Sequence, residues 1–173
     1  MTRIILIGYM GAGKTTIGKV LAREMGLEFY DLDNYIEDRF HQTIPDIFAQ
    51  KGEEGFREVE RKMLHEVAEF ENVIISCGGG TPCFFDNMDY MNAQGETIFL
   101  DAPPPVLKEH LQMGKTVRPL IQGKSSEELI AYIETSLQKR LPYYQQAKHT
   151  LQIEVIHTKE QIKSYVEQII GLI

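Results

Sequence analysis

Apolar residues fall along this chain in two alternating rhythms. Ile4-Ile5-Leu6-Ile7, Val73-Ile74-Ile75-Ser76-Cys77 and Thr97 to Leu100 are short, nearly unbroken apolar runs of strand length. Runs of that kind predict strands buried on both faces. Glu28-Phe29-Tyr30 reads as a further short strand, and Leu151, Ile153 and Val155 alternate with polar residues as an edge strand does. Between these runs the apolar spacing changes to three and four. Ile17, Val20 and Leu21 predict a helix over Thr16 to Met25, ended by Gly26. Ile44, Ile47 and Phe48 predict a short helix over Thr43 to Gln50, broken by Gly52, and Val59, Met63, Val67 and Phe70 predict a longer one from Glu53 to Phe70. Pro104 to Met113 forms another short helix, and Ser125 caps a long one reaching Gln146 with Leu129, Ile133, Leu137 and Leu141 on its core side. Ile162, Val166, Ile169 and Ile170 mark a closing helix. Strands alternating with helices predict an α/β sandwich built on a five-stranded parallel sheet, in one domain without internal repeats.

The loop after the first strand reads Gly8-Tyr9-Met10-Gly11-Ala12-Gly13-Lys14-Thr15, a complete G-x-x-x-x-G-K-T. Strand, glycine loop and helix in succession are the context a P-loop requires, which argues against an ordinary glycine-rich turn. Glycines let the backbone approach phosphate oxygens, and the N–H groups at the helix start present positive charge to an anion. Lys14 is placed to reach the outer phosphates, and the Thr15 hydroxyl to ligate Mg²⁺.

Other polar groups sit where the predicted strands end. Asp31-Leu32-Asp33 closes the second strand, and at spacing i, i+2 on an extended end the two carboxylates would point the same way. One reading gives Asp31 to the Mg²⁺ shell and Asp33 to an acceptor hydroxyl; another makes the pair a helix N-cap leading into Tyr35 to Phe40. Gly78-Gly79-Gly80-Thr81-Pro82 follows the third strand. Three glycines there predict close backbone approach by a ligand. Arg57 has Glu60 one turn on, either to fix a working guanidinium or as a surface ion pair. Arg140 lies near the end of the long helix, where it also answers the dipole. Residues 114–123 lie between glycines with little helical pattern and carry Arg118, as a lid would.

Composition narrows the partners. Of 173 residues, 43% are hydrophobic and 25% charged, ordinary for a globular domain, and the net charge is −7. That acidity argues against nucleic acid. Cys77 and Cys83 show no zinc-ligand spacing and fit a reducing compartment. No apolar run has membrane length, and the first strand begins too early for a signal peptide, so a cytoplasmic protein with no membrane partner is expected.

The motifs form one set in order: the P-loop, Asp31-Leu32-Asp33, Phe56-Arg57-x-x-Glu60, Gly78-Gly79-Gly80-Thr81-Pro82, Arg118-Pro119-Leu120, and Arg140 with Tyr144. In this the chain resembles the shikimate kinases, from about residue 3 to residue 146. The resemblance implies a three-layer sandwich of the nucleoside monophosphate kinase type, with strand order 2-3-1-4-5. It implies transfer of the ATP γ-phosphate to the 3-hydroxyl of shikimate, on the way to chorismate and aromatic amino acids, by a monomer using Mg²⁺. Carried onto this sequence, ATP contacts fall to Gly11, Ala12, Gly13, Lys14, Thr15, Thr16 and Arg118. Mg²⁺ falls to Thr15 and Asp31. Shikimate falls to Asp33, Arg57, Gly78, Gly79, Gly80 and Arg140, with Ile44, Phe48, Phe56 and Glu60 as pocket walls. Lys14, Asp33 and Arg118 carry the catalytic roles. The acceptor subregion spans about 33–60 and the lid about 112–124.

The sequence departs from the family in having Glu109-His110-Leu111-Gln112-Met113 where further arginines often stand, and no arginine after Arg140. Asp101-Ala102-Pro103 and His157-Thr158-Lys159 are the remaining candidates for the adenine side. A gluconate-type sugar-acid kinase and an ATP-binding module without turnover are the alternatives. The chain lacks N-K-x-D and a D-x-x-G after the P-loop, which argues against a GTPase.

Overall fold

The computed structural model describes residues 1–114 and 121–173; Arg118 and the middle of the anticipated lid lie outside the described residues. Five parallel strands, β1 (Arg3–Ile7), β2 (Glu28–Asp31), β3 (Val73–Ser76), β4 (Glu96–Asp101) and β5 (His149–Gln152), form one sheet in the order β2-β3-β1-β4-β5. Ile5 lies opposite Ile75 on one side and Thr97 on the other. Ile4 to Ile7 and Val73 to Ser76 are buried at every residue. Strands buried on both faces are what the unbroken apolar runs require, and helices must cover both sides.

Helix α1 (Lys14–Met25) follows β1 and ends at Gly26, whose φ of 67° suits a left-handed cap. It lies close to the sheet because Gly18 has no side chain: a β-carbon there would stand 2.5 Å from the Phe29 ring and 3.1 Å from Leu6. Helix α2 (Leu32–Phe40) packs on α3 (Ile44–Val67). The anticipated break at Gly52 is a kink within α3, at φ 70° and ψ 178°. Helices α5 (Pro104–Met113) and α6 (Ser126–Tyr144) pack together, and α7 (Lys159–Leu172) packs on α1.

Helix α4 (Asn87–Gln94) was not apparent in the sequence. Its segment has no apolar stripe; only Asn87, Met88 and Met91 are buried, and Asn87 is held by its amide donating to the Thr81 carbonyl at 2.9 Å. Tertiary contact rather than periodicity forms it.

With β1 central and its connection to β2 passing over β3, the chain reverses direction across the sheet between β1 and β3. The crevice at the carboxyl ends of those strands is where open α/β sheets bind ligands. The P-loop and the glycine run both emerge there.

Candidate active site

Gly11 and Gly13 hold φ of 86° and 102°, and Gly13 is the N-cap of α1. The left-handed turn leaves the first N–H groups of α1 open to a ligand. Lys14 bends back over this loop, its Nζ donating to the carbonyls of Gly8 at 2.6 Å and Tyr9 at 3.0 Å. Beside it the Thr15 hydroxyl donates to Asp31 Oδ2 at 3.2 Å. The two residues assigned to Mg²⁺ are thus adjacent, and both offer the hard oxygen donors that this ion takes.

The anticipated strand-end geometry of the aspartate pair is not what forms. Asp31 is the last residue of β2 and the N-cap of α2, accepting from the Asn34 N–H at 3.1 Å. Asp33 lies inside the first helical turn. The helix start, and not alternation along a strand, brings both carboxylates to the cleft.

Each glycine of the run at 78–80 makes room for a different functional side chain. A β-carbon on Gly78 would stand 3.2 Å from Asp33 Oδ1. On Gly79 it would stand 2.8 Å from Arg140 Nη1, and on Gly80 2.6 Å from Arg57 Nη2. Contacts below about 3.0 Å are steric overlaps, so two of the three positions exclude any side chain unless an arginine moves. Tyr144 adds a second hold, its hydroxyl donating to the Gly79 carbonyl at 2.5 Å. Arg140 also lies over the Tyr9 ring, 5.3 Å from its centroid.

Arg57 is not the surface ion pair that its spacing alone would allow. Its side chain is 12% exposed, and that of its partner Glu60 is 1% exposed. Arg57 Nη1 donates to Glu60 Oε1 at 2.9 Å, and the Thr81 hydroxyl donates to Glu60 Oε2 at 2.8 Å. The guanidinium carbon lies 4.1 Å from the Phe84 ring centroid and 5.2 Å from that of Phe56. Phe56 in turn stacks on Phe48 at 4.5 Å. Arg57 Nε is buried with no hydrogen-bond partner. A cation braced by a carboxylate and two rings has its guanidinium plane fixed, as recognition of a planar anion requires.

The acids carry the opposite tension. Burial, with the nearby charges of Asp31 and Glu60, pushes the Asp33 carboxyl up to about 6, against the smaller pull of Lys14. Burial also raises Glu60, although Arg57 and Thr81 act to lower it. Burial holds the Cys77 and Cys83 thiols above their ordinary range, which leaves them little thiolate character.

A cleft of about 430 Å³ is lined by the P-loop, Asp31, Asp33, Gly78 and Gly79. His110, Met113, Gly114 and Ile156 also line it, of which His110 and Ile156 went unassigned in the sequence. Of the two adenine-side candidates, neither lines this cleft. Ala102 is buried, Asp101 accepts from Gln152 Nε2 at 3.1 Å, and Thr158 is engaged in the capping box that starts α7. Ile156, one residue before the second candidate, faces the cleft instead. No group of three or more His, Cys, Asp or Glu able to hold a metal occurs among the described residues. Mg²⁺ bound with a nucleotide needs no such cage, since water and phosphate complete its shell.

Arg57 and Arg140 do not line this cleft themselves but stand behind it, against Gly80 and Gly79. A parallel sheet with a P-loop at its reversal point, next to two arginines held at the glycine run, defines a phosphotransferase for a small anionic acceptor. The family model described as shikimate kinase matches residues 10–171. A shikimate kinase of Phocaeicola vulgatus is 59% identical over 169 residues, covering 98% of this chain and 97% of its own. The crystal structure of the Bacteroides thetaiotaomicron shikimate kinase superposes with a TM-score of 0.96 at 52% identity, covering 99% of this chain and 97% of that one. That of the Acinetobacter baumannii enzyme, in complex with shikimate, superposes at 0.83 and 31% identity over 99% and 92% of the two chains. The chain belongs to the shikimate kinase family.

Proposed function

We propose that this chain transfers the γ-phosphate of ATP to the 3-hydroxyl of shikimate, giving shikimate 3-phosphate and ADP. Family membership sets aside the gluconate-kinase and non-catalytic alternatives. The observation that carries the acceptor assignment within the site is Arg57, 12% exposed, braced by Glu60 and by the rings of Phe56 and Phe84.

In this reading Arg57 and Arg140 take the shikimate carboxylate, a planar anion that guanidinium matches in two hydrogen bonds. Gly79, between Arg140 and Tyr144, offers its backbone N–H. Asp33 orients the ring hydroxyls and accepts the proton of the attacking one, a role for which a carboxyl raised to about 6 is better suited than an ordinary aspartate. General-base help of about 10²-fold suffices, because a loose phosphoryl transition state asks little early deprotonation. Gly11, Ala12, Gly13, Lys14, Thr15 and Thr16 cradle the ATP phosphates, and Lys14 leaves the Gly8 and Tyr9 carbonyls to reach the outer ones. Thr15 and Asp31 hold Mg²⁺, which supplies charge neutralisation on the phosphates. Arg118 joins Lys14 in that task from the lid at about 112–124, which shuts out competing water. No described helix is long and apolar enough to cross a membrane, and with a net charge of −7 the protein fits a cytoplasmic enzyme of small molecules.

The test is ADP release with Mg-ATP and a panel of acceptors. Shikimate should elicit turnover, while gluconate and nucleoside monophosphates should not. Preference for gluconate over shikimate would overturn the reading.

A further inference from the structure

His110 has no part in the chemistry above, yet its side chain is bonded to both the phosphate loop and the turn after β5. Its Nδ1 lies 2.6 Å from the Gly11 carbonyl oxygen, and the Ile156 N–H donates to its Nε2 at 2.9 Å. The second bond fixes the tautomer: Nε2 accepts, so the proton sits on Nδ1 and is donated to Gly11. We propose that His110 is a positioning residue for ATP, setting the peptide plane of the P-loop and its spacing from Ile156. The inference rests on the P-loop being the ATP site.

Two geometric facts support it. The Gly11–Ala12 peptide is gripped from both ends, its carbonyl by His110 and its N–H by the Tyr9 carbonyl at 3.1 Å. Gly11 holds φ 86°, a conformation from which a glycine peptide turns over easily. If that plane reversed, the Gly11 carbonyl oxygen would face the Tyr9 carbonyl oxygen and the Tyr9–Ala12 turn of the phosphate loop would be lost. On the other side, Ile156 packs against the same loop, its Cδ1 3.1 Å from where a Gly13 β-carbon would stand. His110, Gly11, Gly13 and Ile156 all line the same cleft. The imidazole therefore holds the phosphate loop and the wall beside it as one unit. Arginine or lysine could not replace it, because neither accepts a hydrogen bond from Ile156.

The first test is made on the wild-type protein. Long-range ¹⁵N–¹H correlation of the histidine side chains should show the His110 tautomer with Nδ1 protonated and Nε2 bare. The opposite tautomer would overturn the proposal. The second is steady-state kinetics of His110→Asn, which retains a donor near the Nδ1 position, of His110→Gln, which retains an acceptor near Nε2, and of His110→Ala. His110→Ala should raise the KM for ATP by about tenfold or more, the scale of one or two lost hydrogen bonds. The two amide variants should each recover part of that loss, and the KM for shikimate should stay within about twofold. An unchanged ATP KM in His110→Ala, or an equal rise in both KM values, would refute it. Wild-type protein with no ATP turnover on shikimate would instead remove the reading beneath it.

Discussion

Replacing Asp33 by asparagine should strengthen the ligand-free fold while stopping turnover. The carboxyl rises from its ordinary 3.8 to about 6 in the folded protein, chiefly through burial and then through Asp31 and Glu60. A folded state that holds the proton more tightly than the unfolded chain is penalised wherever the unfolded carboxyl is ionised. Below about pH 3.8 both states are protonated and there is no penalty. It grows between about pH 4 and 6 and is constant above. At 1.36 kcal/mol per pH unit the full penalty is about 3 kcal/mol, an upper bound for a group coupled to two other acids. Asparagine mimics the protonated form, so Asp33→Asn should gain about 1–3 kcal/mol at pH 8 and little at pH 4. Urea denaturation of both proteins at the two pH values, without ATP or shikimate, measures the difference. Wild-type kcat/KM should rise with pH through about 6 as the carboxylate forms, and the variant should lose kcat by about 10² or more. A stability gain of the same size at both pH values, or a loss at pH 8, would refute the placement of a strained carboxylate at the cleft.

Further substitutions address the acceptor side, the nucleotide side and a control. Arg57→Lys should raise the KM for shikimate by about 10²-fold, because a lysine offers no planar fork and no Nε, and should leave the KM for ATP nearly unchanged in steady-state kinetics. Gly79→Ala places a β-carbon 2.8 Å from Arg140 Nη1, so it should raise the shikimate KM by at least about tenfold, with its fold intact by circular dichroism. Lys14→Met should lower kcat far more than it changes shikimate binding, as single-turnover measurements would show. Gly171→Ala meets nothing within 4 Å near the end of α7 and should be neutral or stabilising, by up to about 1 kcal/mol in thermal unfolding.

The parts legible in the sequence are those where one local signal decides the outcome. The runs Ile4 to Ile7 and Val73 to Ile75 are buried on both sides and say so in every residue. Gly26, Ser125 and the G-K-T of the P-loop mark helix ends by their own chemistry. What stayed hidden depends on residues distant in the chain. Helix α4 has no stripe because it is held by the Thr81 carbonyl and its methionines. The Arg57–Glu60 spacing is that of a solvated ion pair, and only the folded burial and the Phe84 ring distinguish it. The aspartate pair was placed at the cleft from its position after β2, although its spacing suggested the wrong local geometry. His110 carried no signal at all, since its two partners stand 99 and 46 positions away. Arg118 lies outside the described residues, so its assignment rests on the lid motif alone.

The triple glycine has a consequence for anyone redesigning this acceptor pocket. Its selectivity is encoded partly as empty volume, which no exchange of charged groups alone can rewrite. Residues 78–80 behave as a mould into which one acid and two bases are cast, so enlarging any of them shifts a charge before it touches a ligand. A library aimed at new acceptors would do better to hold these positions fixed and vary the aromatic walls around them.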